Sequence, residues 1–389
     1  MVFSHGLGGT KNAYSHLLGS ISSHGVVVIA PDHRDGSAPL SLVRATPGST
    51  PRPVEYRSIS HKPTSEVEEA RDGQLQIRLW ELDLIHEALL KIDRGEPLMN
   101  TLAEKSPETM GDLAMFSSTL DVQAPGRISW SGHSFGAATV VQLVKSVFYT
   151  SSKDAPSSYQ PLFEPSTSSQ IAHQITPASS VMLLDLWTMP LLSKSTRWLN
   201  TLPLPCYAPD GPGGRNVIAV LSEAFFKWGS NLNQLKRIIS EDPSLDKPVV
   251  KNHPAPYVFY PATSAHLSQS DFGILFPWLT RKAFKAEDPA RTLRLNTRAI
   301  LEVMRRNGVE VADTSAIDME DASGHDGVPG GQIGQDWRIL QTDGSVAGWV
   351  ALDLGSRKHT EEAANDETAE TADPMEAVVQ GEVSKTTSS

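Results

Sequence analysis

A serine flanked by two glycines stands at the centre of Gly-His-Ser-Phe-Gly, residues 132–136. An apolar strand is predicted immediately before this segment, and the small residues Ala137 and Ala138 open a predicted helix after it. A serine on such a sharp strand-to-helix turn is held with its hydroxyl above the sheet, and only glycine can flank it without a clash. The pattern favours Ser134 as the nucleophile of an acyl-transfer reaction over the alternative, an inert serine in a tight turn.

A serine hydroxyl becomes a nucleophile only when a base takes its proton, so a histidine must lie beside it in the fold. His359 borders an acidic tail, and His325 lies in a glycine-rich stretch. His253 precedes the apolar run 257–260, which is the wrong end of a parallel strand. His266 follows that run at its carboxyl end, where the sites of parallel sheets form, and is therefore the favoured base.

Two carboxylates compete for the third position of this constellation. Asp185 directly follows the apolar run 181–184, and Glu223 follows the next run, 217–221. Both lie at the predicted carboxyl end of a strand, where an acid can orient a histidine and stabilise its charged form. Spacing alone favours Asp185 slightly and leaves Glu223 open.

Acyl transfer also needs backbone N–H groups that hold the developing oxyanion. One donor is normally the residue after the nucleophile, here Phe135, and the other comes from an early glycine-rich loop. His-Gly-Leu-Gly-Gly at residues 5–9 is of this type, with the N–H of Leu7 as the second donor. A phosphate-binding loop is the competing interpretation, but neither glycine spacing of such loops is met. No metal-binding motif occurs, so neither a metal nor a cofactor is expected.

The rest of the chain alternates apolar runs with helical patterns, which predicts a parallel sheet covered by helices on both faces. Val26–Ala30 (VVVIA) is predicted as a fully buried strand, and residues 66–92 as a helix with apolar positions three and four apart. Residues 225–239 are predicted as an amphipathic helix. Covering the sheet is its favoured role, and docking on a lipid surface is the alternative.

Charge and composition exclude several classes of function. The net charge is −11, of which −7 lies in residues 361–389, so no basic stripe for nucleic acid is present. The single cysteine, Cys206, cannot form an internal disulfide and fits the reducing cytoplasm. Neither a signal peptide nor an apolar run of the ~18 residues that span a membrane is visible.

Three segments are expected along the chain. Residues 1–310 are assigned to an α/β-hydrolase catalytic domain and residues 311–356 to an extension of uncertain structure. Residues 357–389 are acidic and lack aromatic residues, so we expect this tail to be disordered.

Several longer motifs add to the single residues. These are FSHGLGG (3–9), SHGVVVIAPDHRDGSAP (23–39), QLQIRLWEL (74–82), WSGHSFGAATVVQLV (130–144), LLDLWTMPL (183–191) and SAHLSQSDFGILFP (264–277). Together, and in this order, they resemble the platelet-activating factor acetylhydrolase family in its plasma and intracellular type II form.

The resemblance implies an α/β-hydrolase fold and a calcium-independent serine esterase. Such an enzyme removes short or oxidised acyl chains from the sn-2 position of glycerophospholipids. The family's motifs carry over to Ser134 as nucleophile, Asp185 as acid and His266 as base. They also carry over to Leu7 and Phe135 as oxyanion donors. The resemblance therefore decides for Asp185, which spacing had not done.

Other residues next to the predicted site have less specific expectations. Three aromatic residues adjoin the catalytic loops and are candidates for an acyl pocket, although each fits an ordinary core equally well: Trp187, Phe225 and Phe272. Three polar residues in the family-like segment 23–39 are interpreted as structural anchors: Asp32, His33 and Arg34.

The sequence departs from the family pattern at its start. Family members carry a substantial segment before FSHGLGG that supplies early strands, whereas only Met1 and Val2 precede Phe3 here. We therefore expect a sheet without its first strands and almost no strand before the Leu7 loop. Two other functions stay open: an esterase of the same fold for other short-chain esters, and an inactive remnant that binds lipid.

Overall fold

The structure, a computed structural model, describes residues 1–99, 101, 113–313, 349–351 and 354. Its strands are β1 (Val2–Ser4), β2 (Leu40–Val43), β3 (Arg52–Glu55), β4 (Trp130–His133), β5 (Val181–Leu184), β6 (Val217–Val220), β7 (Tyr257–Pro261) and β8 (Trp349–Ala351). Its helices are α1 (Ser15–Ser22), α2 (Ser65–Asp93), α3 (Phe135–Phe148), α4 (Ile171–Gln174), α5 (Arg197–Asn200), α6 (Glu223–Lys227), α7 (Gly229–Ile238), α8 (Phe272–Leu275), α9 (Pro277–Phe284) and α10 (Pro289–Arg306).

Six strands form the main sheet in the order β1-β4-β5-β6-β7-β8. Each pair from β1 to β7 is parallel, and β8 joins β7 antiparallel. Because parallel neighbours need crossover connections, the intervening helices lie on the faces of the sheet. The predicted parallel sheet with helices on both sides is confirmed.

Side chains alternate between the two faces of the sheet, as the pleat of a strand requires. On one face, residues such as Trp130 and Leu183 pack with α2, α3 and α7. On the other face, residues such as Phe3 and Leu184 pack with α1 and α10. The strands are therefore apolar on both sides, which explains the short continuous apolar runs of the sequence.

The two predicted long helices have different outcomes. The helix predicted over 66–92 is present as α2, whose residues Leu75, Leu79 and Leu82 are buried against α3 and the sheet. The single helix predicted over 225–239 is wrong, because the chain turns at Trp228 and forms α6 and α7. The apolar side chains of α6 and α7 are buried, so they cover the sheet, as favoured over lipid docking.

The prediction of a buried strand at Val26–Ala30 is wrong. Only Ile29 forms a bridge there, parallel to Val2, and Val27 is 38% exposed. The segment runs along the outer edge of β1, where the Phe3 N–H donates to Ile29 O (2.8 Å). Within the described residues it pairs only with β1, and it stays half-exposed although its residue types suit a core. The strand before the Leu7 loop, expected to be almost absent, is present as the three residues of β1.

Two features lie at the periphery of the fold. Residues 36–64 include an antiparallel hairpin of β2 and β3. β8 falls within the extension predicted at 311–356, whereas the tail 357–389 lies outside the described residues. Within the described part of the chain, no helix has the length and apolar character needed to cross a bilayer.

Candidate active site

Ser134 occupies the turn between β4 and α3 in a backbone conformation that non-glycine residues rarely adopt, with φ 56° and ψ −116°. Its N–H donates to Leu184 O at the end of β5 (2.8 Å), which fixes the turn against the neighbouring strand. Such strain persists only where the surroundings impose it, and it occurs preferentially at functional sites.

The two glycines that flank Ser134 are required by close packing of backbone against backbone. A Cβ at Gly132 would overlap with the backbone of Gly136, and a Cβ at Gly136 would overlap with Ser4 O at the end of β1. The first turn of α3 can therefore approach both strands only because neither glycine has a side chain.

Asp185 and His266 are brought together by neighbouring strand ends. Asp185 follows β5 with φ 44°, and its N–H donates to Val220 O (2.8 Å). One carboxylate oxygen of Asp185 accepts the Ser222 N–H (2.5 Å), and the other lies 2.8 Å from His266 Nδ1. This arrangement leaves His266 Nε2 as the ring nitrogen that can exchange protons with a substrate or nucleophile.

Aromatic rings fix the plane of the His266 imidazole. The Phe225 ring stacks on it with centroids 4.4 Å apart and an interplanar angle of 11°. The His133 ring lies at the same centroid distance, tilted by 33°. Burial, together with the neighbouring His266, lowers the pKa of His133 well below its usual value. His133 is therefore neutral and does not repel a protonated His266.

The loop after β1 lies directly against Ser134. A Cβ added to Gly6 would lie 3.1 Å from the Ser134 Cβ. The N–H groups on either side of Leu7 are used within the fold: Gly6 donates to the Tyr14 hydroxyl (3.0 Å) and Gly8 to Ser37 O (2.8 Å). In the described part of the chain, the Leu7 N–H has no such acceptor.

Phe135 supplies the second candidate N–H. It is the first residue of α3, and N–H groups in the first turn of a helix lack an intrahelical acceptor. The same end of the helix carries the positive pole of its dipole, so it favours an anion.

The competing acid and bases lie elsewhere. Glu223 accepts the Thr263 N–H (2.6 Å) and pairs with Lys227, so it braces the loop after β7. His253 pairs with Glu241 before β7 begins. His325 and His359 lie outside the described residues.

The three aromatic candidates for an acyl pocket have different surroundings. Phe225 is buried on the His266 ring, as described above. Trp187 is also buried and lies edge-on to the Phe135 ring, with centroids 6.0 Å apart. Phe272 is half-buried and packs on Phe276 at 4.9 Å. Phe225 and Trp187 thus adjoin His266 and Phe135, whereas Phe272 points to a separate aromatic group.

Sequence reasoning missed three residues that hold this site. The Tyr14 hydroxyl joins Gly6 to His133 Nδ1, which is 2.9 Å away. The Asn231 side chain on α7 donates to Leu186 O and accepts from Thr188, which fixes the loop after Asp185. Ser222 supplies an N–H to Asp185. Each reaches the site from another part of the chain, and no local motif could have found them.

Two clusters of residues within the described ranges have the chemistry to hold a metal ion. The first is His133, Asp185 and His266, in which Asp185 and His266 are already joined by a hydrogen bond. The second is Asp83, His86 and Glu87 on α2, whose two acids accept hydrogen bonds from Ser169 and Gln170.

The parallel sheet, the strained serine after β4 and the Asp–His pair at the same edge define the α/β-hydrolase class. Residues 1–323 match the family model of platelet-activating factor acetylhydrolase, isoform II. The chain therefore belongs to this family, which confirms the resemblance seen in its motifs.

Individual relatives agree with the family assignment. A putative phospholipase A2 of Schizosaccharomyces pombe is 31% identical over 320 residues, which cover 79% of this chain and 68% of that protein. The platelet-activating factor acetylhydrolase of dog is 34% identical over 146 residues, or 36% of this chain and 31% of the relative. The corresponding chicken protein is 25% identical over 319 residues, or 79% of this chain and 61% of the relative.

Proposed function

We propose that this protein is a calcium-independent serine esterase that hydrolyses the sn-2 acetyl or short acyl ester of glycerophospholipids resembling platelet-activating factor. The observation that supports it most directly is the Asp185–His266 hydrogen bond at the sheet edge that carries the strained Ser134. Membership of a family named for acetylhydrolase activity supports the substrate class. The alternative esterase for other short-chain esters would use this same site. Its substrates would differ in the group that leaves.

The first half of the proposed reaction is acylation of Ser134. His266 Nε2 accepts the hydroxyl proton as Ser134 Oγ attacks the ester carbonyl. Asp185 holds the imidazole in the tautomer with Nδ1 protonated and stabilises the imidazolium. The N–H groups of Leu7 and Phe135 stabilise the tetrahedral oxyanion. His266 then protonates the departing oxygen, and the lyso-phospholipid leaves.

The second half is hydrolysis of the acyl-enzyme. His266 accepts a proton from a water molecule, and the resulting hydroxide attacks the acyl carbonyl, whose oxyanion binds to the same N–H groups. Collapse of this intermediate breaks the bond to Ser134 Oγ, which takes back the proton from His266. The short carboxylic acid leaves, and the free enzyme is restored.

Contact with a lipid surface forms part of the proposal. Three large apolar side chains beside the His266 segment are strongly exposed: Leu275 (68%), Phe276 (51%) and Trp278 (70%). Lys282 Nζ lies 4.9 Å from the centroid of the Trp278 ring, so a cation adjoins this apolar surface. An apolar surface with a basic rim is suited to the boundary between lipid headgroups and acyl chains.

The catalytic proposal is tested with a fluorophosphonate probe and a substrate series. We expect covalent labelling at Ser134 that is lost in His266→Ala, and hydrolysis that falls as the sn-2 chain lengthens from acetyl. Equal rates for acetyl and long-chain phospholipids would overturn the substrate class. A folded protein that the probe does not label would overturn the esterase mechanism and support the inactive remnant.

The lipid contact is tested by sedimentation with phosphatidylcholine vesicles. We expect Trp278→Ser to reduce the bound fraction, whereas hydrolysis of a water-soluble short-chain ester stays unchanged. Met115→Ser is the matched control, because Met115 is equally exposed (71%) but lies in another part of the chain. Equal loss in both variants would contradict a specific docking surface.

A cytoplasmic location also belongs to the proposal. It is supported by the single cysteine, Cys206, which is buried and unpaired. Fractionation of cells that express the tagged full-length protein tests it, and recovery in the secreted fraction would contradict it.

A further inference from the structure

Arg78 on α2 is fully buried and donates hydrogen bonds from all three of its nitrogens. Its Nε donates to Asp35 Oδ2 (2.7 Å), and its Nη2 donates to the Ser37 hydroxyl (2.5 Å). Its Nη1 donates to His5 O (2.8 Å) and lies 3.2 Å from Ser4 Oγ. A buried guanidinium with this many partners holds them in a fixed geometry, because its donors form a rigid planar fork.

These partners hold both ends of the loop that carries Leu7. At the first end, the guanidinium binds the carbonyl of His5. At the second end, it binds Ser37, whose own carbonyl accepts the Gly8 N–H (2.8 Å). Leu7 lies between the two anchored ends, so the direction of its N–H depends on them.

The same guanidinium touches the helix that carries the second donor. Its Cζ lies over the Phe135 ring, 4.4 Å from the centroid. Its Nη1 also lies 3.4 Å from Thr139 Oγ1, and that hydroxyl donates to Phe135 O (2.9 Å). Arg78 thus connects the elements that carry the Leu7 and Phe135 N–H groups.

The charge of Asp35 keeps the guanidinium in place. Burial raises the pKa of Asp35, but the Arg78 charge and the Ser37 hydrogen bonds outweigh this effect and leave the pKa below its usual value. Asp35 is therefore ionised at neutral pH. The ion pair with Asp35 and the planar set of N–H donors together hold the Arg78 side chain in one orientation.

We propose that Arg78 is a positioning residue that sets the spacing of the two oxyanion N–H groups, although it does not itself touch the substrate. This inference rests on the proposed esterase function. Oxyanion donors act by preorganisation, so a small displacement lowers the rate of the chemical step more than it weakens substrate binding.

The test uses steady-state kinetics of Arg78→Gln on a short-chain ester. Loss of one oxyanion donor costs about 10²–10³ in kcat, so displacement of the donors is expected to lower kcat by about 10² with KM changed less than about twofold. The second-order rate of fluorophosphonate labelling should fall in parallel. Binding of a non-hydrolysable ether analogue and the pH profile should stay unchanged.

Two further variants keep the test decisive. Arg78→Gln leaves Asp35 as a buried charge without its partner, so Arg78→Gln/Asp35→Asn removes both charges and preserves folding if the single variant fails. Arg78→Lys keeps the charge but loses the fork, and it should restore only part of kcat. If neither charge-removing variant folds, the positioning role is judged from the kcat and KM values of Arg78→Lys.

Lys145→Met serves as the matched control. Lys145 is also a fully buried basic side chain, but it lies near the far end of α3 from Ser134. We expect its kcat to equal that of the wild type. Wild-type kcat in a folded Arg78→Gln, or equal changes in kcat and KM, would overturn the positioning role. Failure of the wild type itself to react with the probe would instead overturn the proposed function.

Discussion

Two parts of this molecule contain a serine, a histidine and an acid in close association. At the carboxyl end of the parallel strands, Ser134 follows β4, and the hydrogen-bonded pair of Asp185 and His266 follows β5 and β7. Behind β1, Ser4 Oγ lies 2.8 Å from His33 Nε2, and His33 Nδ1 lies 2.7 Å from Glu81. In residue types and hydrogen bonds the second group imitates a catalytic triad.

The two groups differ in access and in backbone. Ser4 and His33 are fully buried, and Ser4 belongs to a regular strand, whereas Ser134 stands on a strained turn. Burial and the nearby Arg78 lower the pKa of His33 well below its usual value, which disfavours the charged form that a general base must adopt. The His266 side chain is 10% exposed, which leaves it a route to substrate.

The comparison shows that residue types alone do not make a catalytic site. The buried group ties β1 to α2, and we infer that it is structural. The group at the edge combines an acid–histidine hydrogen bond with a strained serine and with a Leu7 N–H that has no acceptor in the described part of the chain. The first two predictions below change equivalent members of the two groups, and the last two change a feature of one group.

The largest difference is expected between the two serines. Ser134→Ala removes the nucleophile and should lower kcat by about 10⁶. Ser4→Ala should lower kcat less than about tenfold and instead reduce the free energy of unfolding by about 1–3 kcal/mol, because His33 loses a buried partner. Ester hydrolysis and urea unfolding measure the two effects. A strong loss of activity in folded Ser4→Ala would contradict the structural assignment.

The next difference concerns the acids. Asp185→Asn should lower kcat by about 10⁴, because the amide favours the wrong tautomer of His266. Glu81→Gln should change kcat less than about tenfold, since Glu81 contacts neither nucleophile nor base. Comparable losses in both variants, measured on the same substrate, would mean that the buried group takes part in the reaction.

A smaller effect is expected from the flat stacking of Phe225 on His266, whereas the His5 ring beside His33 is tilted by 49°. Phe225→Leu keeps an apolar side chain but loses the flat stacking surface, so the imidazole gains freedom to tilt. We expect kcat to fall about tenfold with little change in stability. The reference is Phe226→Leu, since Phe226 stacks on Tyr260 rather than on His266. An equal fall in both variants would assign the effect to core packing.

The smallest effect on catalysis is expected from the ionisation of Glu81 in the buried group, which changes stability with pH instead. Burial raises the pKa of Glu81 to about 7. Between its ordinary pKa and this value the folded protein binds more protons than the unfolded chain, so Glu81 lowers stability as pH rises. The stability of the wild type relative to Glu81→Gln should fall between about pH 5 and pH 7, by at most about 1.4 kcal/mol per pH unit. Urea unfolding across this range measures it, and a constant difference would contradict the raised pKa.

Much of the architecture could be predicted because its signals are local. The apolar runs at 181–184, 217–221 and 257–260 became β5, β6 and β7, since short strands buried on both faces must be apolar throughout. VVVIA at 26–30 is also an apolar run, yet it forms a single bridge. Burial of such a segment depends on which elements pack on either side of it.

The candidate site also divides into features with a local sequence signal and features that depend on distant parts of the chain. The turn at Ser134 could be predicted, since its two glycines are a local requirement of close backbone packing. The choice between Asp185 and Glu223 could not be made from spacing, because both follow strands at the same edge of the sheet. The contacts of Arg78 with His5, Asp35 and Ser37 had no signal in the sequence, because their partners are far apart in the chain.

By itself, the sequence determined the parallel α/β framework, the strained serine turn and the glycine-rich loop, because each depends on residues within a few positions of one another. Only the tertiary structure decided which histidine meets which acid and which of these pairs keeps a partly exposed histidine. His266 reaches Asp185 across 81 positions of the chain, and His33 reaches Glu81 across 48. Both pairs satisfy their hydrogen bonds equally well, so the position of each pair relative to the sheet edge is what distinguishes the candidate reaction site from the core.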